Sequence, residues 1–352
     1  MSTTKENDQK LWQSVFTTAG GWSKAVALPD QQSASGPALA EVGGVVQCAH
    51  RGAETNGEAL LPVNLTTYAP AQAGAWTPDT TAGGGAASWE APALANADGT
   101  LVMVTTEGDS PEGHTPLVEY RLEPFRGQLT WKPQGTVMTN SGTRVAPAMA
   151  VLDGKVHLVY EDGELGYVGH LVYEGPGSWT RATGPDGKPT TTPGLRQIAK
   201  FGSRFRFRPM QRTSNIALAV HEGQLHMVLR TSRDSLELFH YVLDGGTWTG
   251  TDEPMSRPAP PADDLDAEQW QTSSQSAALA SYDGKLHAVY PSAEGTDNLR
   301  HSTWTQAGGW TEPTDLVGHQ SKHTPALLTF QDGPTGAQRE ALLLVHRGVQ
   351  PS

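Results

Sequence analysis

Three arginines end short apolar segments of the sequence, and their side chains are well suited to hold a polar ligand. They are Arg51, Arg230 and Arg347, and two of them lie in His-Arg-Gly triplets, His50-Arg51-Gly52 and His346-Arg347-Gly348. A guanidinium group makes bidentate hydrogen bonds to carboxylates, phosphates and sugar hydroxyls. The pattern predicts a carbohydrate or a small anionic molecule as the ligand. The alternative interpretation is that these arginines connect neighbouring repeats and have only a structural role.

Three further side chains complete the predicted ligand-binding set. Glu161 ends a segment similar to those that end in the arginines, Arg208 belongs to a basic segment, and Trp270 closes an acidic one. An indole ring can stack on the apolar face of a sugar, so Trp270 and also Trp89 are candidate stacking surfaces. The basic and acidic segments could wall a cleft, or they could simply bind each other.

Three sequence markers recur six times and define the elements that position these residues. The first is a tryptophan after a turn-like pair, at Trp22, Trp76, Trp131, Trp179, Trp248 and Trp310. The second is a Pro-Ala-Leu-Ala-like segment that begins at residues 37, 92, 147, 216, 277 and 325. The third is a Gly-Gly, Asp-Gly or Glu-Gly pair at residues 43, 98, 153, 222, 283 and 332. Each repeat therefore predicts strand a, a tight turn, strand b, a loop, strand c, a turn with the tryptophan, and strand d.

The two ends of the chain together form the sixth repeat. Residues 325–347 supply only strands a and b, whereas residues 11–22 resemble residues 299–310, the c–d part of the fifth repeat. The chain is therefore predicted to be an all-β, six-bladed β-propeller with four antiparallel strands per blade. Its N-terminal strands complete the C-terminal blade, which removes exposed sheet edges. The single predicted domain, 1–352, divides into blades at about 35–80, 90–138, 145–189, 214–252, 275–318, and 323–348 with 11–29.

The markers Pro-Ala-Leu-Ala, Asp-Gly, His-Arg-Gly and Gly-x-Trp resemble those of bacterial β-propeller repeat proteins of the fucose-lectin-like and sialidase-like type. The resemblance covers about residues 11–348. It implies the propeller fold and sugar binding, although propellers host many functions.

Sialidase chemistry would need further motifs that the sequence does not supply. The nearest match to a Ser-x-Asp-x-Gly-x-x-Trp box is Asp244-Gly-Gly-Thr-Trp248, which lacks the serine and has the wrong spacing. Glu107, Glu161 and the acidic residues 263–268 could supply a general acid–base pair, but their separation cannot be read from sequence. A Cys-x-x-Cys zinc motif and a glycine-rich phosphate loop are also absent. We therefore assign no catalytic residue and predict no metal site and no cofactor.

Loop length varies on only one face of the predicted propeller. The a–b and c–d turns share one face, here the turn face, and the b–c and d–a connections share the other, here the loop face. From the turn tryptophan to the alanine of the next strand a, four intervals span 16 or 17 residues. The other two span 38 residues, from Trp179 to Ala217, and 30 residues, from Trp248 to Ala278. Function is therefore predicted on the loop face.

Three functions are compatible with this pattern. The favoured one is a carbohydrate-binding, lectin-like propeller with its sites on the loop face, because polar residues recur around the ring. The alternative is an enzyme of the hydrolase or lyase type that acts on a sugar or anionic small molecule. Its cleft would lie under segments 190–213 and 252–274, the two long insertions. A protein-interaction scaffold is the third.

Charge and composition narrow the class of partner. The formal net charge of −12 would repel the phosphates of nucleic acids and anionic membranes. No segment approaches the roughly 20 apolar residues of a membrane span, and the N-terminal residues lack the apolar core of a signal peptide. This predicts a soluble cytoplasmic protein, or a secreted one if a leader precedes the given sequence. Cys48 lies in an apolar run and is predicted to be a small buried residue.

Overall fold

A computed structural model gives the structure of the protein. It describes residues 9–54, 60–72, 74–108, 115–125, 128–137, 142–162, 167–188, 190, 197–201, 204–208, 215–230, 236–250, 255, 271–293 and 295–348. The side chains of residues 72, 125, 128, 167, 197–201 and 204–208 are not described.

Short strands make up almost all of the regular structure. The N-terminal strands are β1 (Lys10–Thr17), β2 (Gly21–Trp22) and β3 (Val26–Gln32). Blade 1 holds β4 (Ala38–Val42), β5 (Val45–Arg51), β6 (Leu61–Tyr68), β7 (Thr80–Thr81) and β8 (Ala87–Ser88), with 3₁₀ turns at Pro70–Gln72 and Gly83–Gly85. Blade 2 holds β9 (Ala93–Ala97), β10 (Thr100–Thr106), β11 (Thr115–Phe125), β12 (Gln128–Thr136) and β13 (Gly142–Thr143).

The second half of the chain continues the same order. Blade 3 holds β14 (Ala148–Leu152), β15 (Lys155–Asp162), β16 (Tyr167–Gly175) and β17 (Ser178–Arg181), and a separate hairpin follows as β18 (Gln197–Phe201) and β19 (Arg204–Arg208). Blade 4 holds β20 (Ala217–His221), β21 (Gln224–Arg230), β22 (Leu238–Asp244) and β23 (Thr247–Gly250). Blade 5 holds β24 (Ala278–Tyr282), β25 (Lys285–Pro291), β26 (Asn298–Thr305), β27 (Gly309–Trp310) and β28 (Thr314–Gln320). The last strands are β29 (Ala326–Asp332) and β30 (Arg339–Arg347).

The six antiparallel blades form a closed ring, which confirms the predicted fold. The innermost strands contact one another in the order β4, β9, β14, β20, β24 and β29, and β29 contacts β4 again. The sixth blade joins the two chain ends, because β1 pairs with β30 from Leu11 opposite Arg347 to Phe16 opposite Leu342. β2 and β3 pair with the other edge of β1. The N-terminal strands therefore complete the C-terminal blade.

The repeated sequence has a simple physical basis. The inner strands are rich in alanine because blades converge toward the axis and leave room for small side chains only. The b strands lie between two neighbouring strands and two neighbouring blades, so most of their residues are buried. Cys48 is among them, as predicted, and burial raises the pKa of its thiol.

Five of the six a–b turns are the predicted two-residue turns. Both of their residues have positive φ, as at Asp98 (50°) and Gly99 (83°), which matches the twist of the flanking strands. The sixth marker, Asp332-Gly333, does not form such a turn. β29 continues to Asp332 and β30 begins only at Arg339, so a six-residue connection that includes Pro334 replaces the turn.

Each turn tryptophan packs against the preceding blade. Trp76 Nε1 donates to Gln13 Oε1 at 2.7 Å, and Trp179 Nε1 donates to Glu119 Oε2 at 2.7 Å. In three other junctions the strand-c partner is a histidine. Five of these tryptophans are buried and Trp22 is half-buried. Their position at blade junctions agrees with the structural role expected of a residue that every repeat contains.

Candidate functional site

The three strand-end arginines make the same kind of contact. Arg51 Nε donates to the Ser88 carbonyl at 3.0 Å, and Arg347 Nη1 donates to the Ala34 carbonyl at 2.6 Å. Arg230 Nη1 donates to the Ser274 carbonyl. Each acceptor lies in the segment that enters the next blade, four or five residues before its strand a. All three side chains are buried. The arginines therefore connect neighbouring blades on the loop face, as the structural interpretation of the sequence anticipates.

This connecting role does not by itself decide whether the arginines also hold a ligand. Burial lowers the pKa of Arg51 and of Arg230, and nearby Glu90 and Glu54 act in the opposite direction on Arg51. The ligand-binding role of these arginines stays a prediction.

The junction between blades 1 and 2 gathers the most varied chemistry around a strand-end arginine. Ser88, whose carbonyl binds Arg51, is followed by Trp89 and Glu90. Burial raises the pKa of the Glu90 carboxyl, while the positive charge of Arg51 acts to lower it. The indole of Trp89 is half-buried, and its Nε1 donates to the Gly108 carbonyl at 3.1 Å. A cation, a carboxyl group and an aromatic ring thus lie on one junction.

Strand b of blade 2 fixes the position of this group. The Thr106 hydroxyl accepts the backbone N–H of Glu90 at 2.9 Å, and Trp89 N–H donates to the Thr106 carbonyl at 2.9 Å. The following carboxylate, Glu107, accepts the Thr105 hydroxyl at 2.6 Å and the Tyr120 hydroxyl at 3.1 Å. The segment that carries Trp89 and Glu90 is therefore held by Thr106 of blade 2 and by Arg51 of blade 1.

The junction between blades 6 and 1 holds a second arginine with a different neighbour. His323 Nε2 accepts a hydrogen bond from Arg347 Nη1 at 2.7 Å. Burial lowers the pKa of His323 to about 4, and the charges of Arg347, Arg51 and Lys322 act in the same direction. This imidazole is therefore neutral at pH 7. The two His-Arg-Gly triplets thus bring Arg51 and Arg347 within electrostatic reach of one histidine.

The remaining predicted residues lie apart from these junctions or outside the described residues. Glu161 is buried at the end of β15 in blade 3. Arg208 is the last residue of β19, for which the structure describes the backbone only. Trp270 and the acidic residues 263–268 lie outside the described residues. The predicted cleft under the two long insertions therefore stays a prediction.

Sequence reasoning missed Glu90, His323 and the spacing of His319 and His323. The adjacency of Glu90 to Trp89 was the available signal. The four-residue spacing of the two histidines is typical of a helical zinc pair, but here both lie in or beside strands, and His323 binds Arg347.

Among the described residues, no group of three or more His, Cys, Asp or Glu side chains could hold a metal ion. Within the same residues, no helix has the length and apolarity needed to cross a membrane.

Comparison with known proteins identifies the fold but not the family. No protein-family model and no curated protein matches the sequence. Among solved structures, the α-L-arabinanase of Penicillium chrysogenum in complex with arabinobiose has a TM-score of 0.54 and 14% identity, over 89% of this chain and 93% of that one. The SapL1 lectin in complex with α-methyl fucoside has a TM-score of 0.54 and 12% identity, over 88% and 90%. AofleA from Arthrobotrys oligospora has a TM-score of 0.52 and 14% identity, over 90% and 80%.

Proposed function

We propose that this propeller is a lectin that binds carbohydrate at blade junctions on its loop face. The observation that carries the proposal is the junction of Arg51, Glu90 and Trp89. A guanidinium donates to sugar hydroxyls, a carboxyl group accepts from them, and an indole covers the apolar face of the ring. Two propellers of similar fold, the arabinanase and the SapL1 lectin, were crystallised with sugars, so the architecture is compatible with such ligands.

The arginines support a repeated rather than a single site. Arg51, Arg230 and Arg347 occupy equivalent strand ends in blades 1, 4 and 6. The other strand ends carry Thr106, Glu161 and Pro291, which cannot make the same contacts. A lectin with up to three unequal sites follows from this distribution.

A glycan array probed with the wild-type protein and with Trp89→Ala, Trp89→Phe and Glu90→Gln variants tests the proposal. We expect Trp89→Ala to lose binding at least tenfold and Trp89→Phe to retain most of it, because a phenyl ring keeps a stacking surface. Glu340→Gln is the matched control for Glu90→Gln, since Glu340 is exposed beside the a–b connection of blade 6. Binding of no glycan by the wild-type protein, or equal binding by Trp89→Ala, contradicts the proposal.

A glycoside hydrolase is the second candidate, and the raised pKa of Glu90 favours it. A raised pKa is typical of the carboxyl group that acts as general acid in glycoside hydrolysis, which pairs it with a second carboxylate. Glu107 is held by the same strand-b end that binds the Glu90 backbone. Reducing-sugar release from arabinan and other glycans distinguishes the two functions. The enzyme requires turnover that Glu90→Gln abolishes, whereas the lectin binds the same glycans without releasing product.

A further inference from the structure

Blades 3, 4 and 5 each contain a hydrogen-bonded pair of histidines that the proposed lectin site does not use. One histidine comes from strand b and the other from strand c. The Nδ1–Nε2 distance is 2.9 Å for His157 and His170, 3.0 Å for His226 and His240, and 2.9 Å for His287 and His301. Three equivalent pairs allow three blade junctions to be compared directly.

An aromatic ring from the next blade covers two of these pairs. The Trp304 ring of blade 5 lies 5.1 Å from the rings of His226 and His240, and the Phe16 ring of blade 6 lies 5.6 and 5.5 Å from those of His287 and His301. Both aromatic residues occupy the same position of the repeat. That position comes three residues after the strand-c residue that contacts the turn tryptophan of the following blade. In these two junctions the space over the histidines is filled.

At the third junction, between blades 3 and 4, the equivalent residue is Leu243. A cavity of about 270 Å³ lies there, and both histidines of the pair, His157 and His170, line it together with Leu243 and Gly246. Interiors are normally packed with few voids larger than a water molecule. The smaller side chain therefore leaves room where Trp304 and Phe16 occupy the equivalent space at the other two histidine pairs. The cavity lies toward the turn face, away from the arginines, because Gly246 belongs to the c–d turn of blade 4.

The lining of this cavity combines a polar pair with an apolar wall and a charged rim. The wall includes Val172 and Ala182, and the rim carries Lys155, Glu174 and Arg181. Lys155 Nζ and Glu174 Oε1 are 3.4 Å apart and both side chains are largely exposed. Lys155 and Glu174 balance each other, so Arg181 is the cation of the rim that can bind an anionic group. An anion is therefore preferred over a cation.

Three of the four ring nitrogens of the histidine pair are engaged within the protein, so His157 Nε2 is the one that can meet an occupant. Burial lowers the pKa of His157, and lowers that of His170 to about 3, so both rings are neutral at pH 7. A hydrogen-bonded row runs from His157 to His170 and on to the Thr190 hydroxyl, 3.1 Å from His170 Nδ1. Neutral imidazoles and hydroxyl groups match the alternating donors and acceptors of sugar hydroxyls.

We propose that the cavity between blades 3 and 4 is a second binding site, specific for a monosaccharide that carries one carboxylate. Its volume is slightly below the range of about 300–1,000 Å³ typical of drug-sized ligands, which suits one sugar ring. The carboxylate binds Arg181 at the rim, the hydroxyls bind His157 Nε2 and the Thr190 hydroxyl, and the apolar side of the ring faces Leu243 and Val172. The site is independent of the junction of Arg51, Glu90 and Trp89.

Titration with D-glucuronate, with D-glucose as the uncharged probe, tests the site by NMR of the histidine ring protons. Saturable shifts of the His157 and His170 signals with glucuronate, at least tenfold tighter than with glucose, are the expected result. Leu243→Trp should fill the space as Trp304 does and abolish the shifts. Val317→Trp is the matched control, because Val317 is an exposed position on blade 5.

A second variant keeps the test decisive if Leu243→Trp does not fold. Arg181→Gln changes an exposed side chain and should lower glucuronate affinity at least tenfold while leaving glucose affinity unchanged. Absence of saturable shifts in the wild-type protein, or equal shifts in Leu243→Trp, overturns the site. Equal affinity for the two sugars overturns the carboxylate preference. Trp89→Ala should leave these shifts unchanged, so failure of the lectin proposal is distinguishable from failure of this one.

Discussion

Trp248 provides the sharpest test of the packing between blades. Its side chain is 1% exposed and contacts the His170 ring of the preceding blade, with ring centroids 5.5 Å apart. It also belongs to the apolar cluster that contains Met227, Leu229 and Tyr241. Replacement by alanine removes the indole from a buried site between two blades and leaves a void there.

Two independent magnitudes agree for Trp248→Ala. A buried tryptophan removes roughly 150–250 Å² from water, which at about 25 cal/mol per Å² corresponds to about 4–6 kcal/mol as an upper estimate. Measured Trp→Ala changes in cores cost about 3–5 kcal/mol. We therefore expect the free energy of unfolding to fall by about 4 kcal/mol.

Urea unfolding followed by far-UV circular dichroism measures this loss, and Trp22→Ala is the internal comparison. Trp22 occupies the same turn in blade 6 but is only half-buried, and its Nε1 donates to His301 Nδ1 at 3.3 Å. Trp22→Ala should therefore cost about half as much, near 2 kcal/mol. A Trp248→Ala variant that unfolds within about 1 kcal/mol of the wild-type protein, or one less destabilised than Trp22→Ala, would refute the assignment of these tryptophans to blade packing.

Three further predictions address charge, ring closure and backbone contact. Burial raises the pKa of the Glu119 carboxyl, so the folded state loses stability as pH rises from the ordinary carboxyl pKa through the raised one. Glu119→Gln should therefore stabilise the protein at pH 8 and not at pH 4, as measured by urea unfolding at both pH values. A glutamine can accept the tryptophan hydrogen bond at this position, since Gln13 does so at the equivalent one. Deleting residues 1–22 removes β1 and β2 and exposes the edge of β30, so cooperative thermal unfolding should disappear, and its persistence would contradict closure by the N-terminus. A Cβ on Gly36 would clash with the Thr324 carbonyl oxygen, so Gly36→Ala should lower the urea midpoint. Gly52→Ala is the control and should change the midpoint less, because its Cβ would make ordinary contacts that begin at 3.4 Å.

The local chemistry of the repeat determined most of the fold. Each repeat carries alternating apolar residues, a pair of turn residues with positive φ and one tryptophan. These features act within a blade or between a blade and the similar one beside it, so six copies of the pattern predict six blades. The similarity of residues 11–22 to residues 299–310 predicted the closure for the same reason. The pattern failed at Asp332-Gly333, where the inserted residues that include Pro334 lengthen the connection.

Tertiary structure alone decided what surrounds each polar side chain. The sequence placed Arg51, Arg230 and Arg347 on equivalent strand ends, but only the packing of one blade on the next shows their bonds to backbone carbonyls. The cavity beside His157 and His170 depends on Leu243 of another blade, although the repeat position it occupies holds an aromatic residue in four of the six blades. The space at a junction depends on the side-chain volumes of both blades that meet there. The sequence of one repeat therefore does not show how its junction is filled.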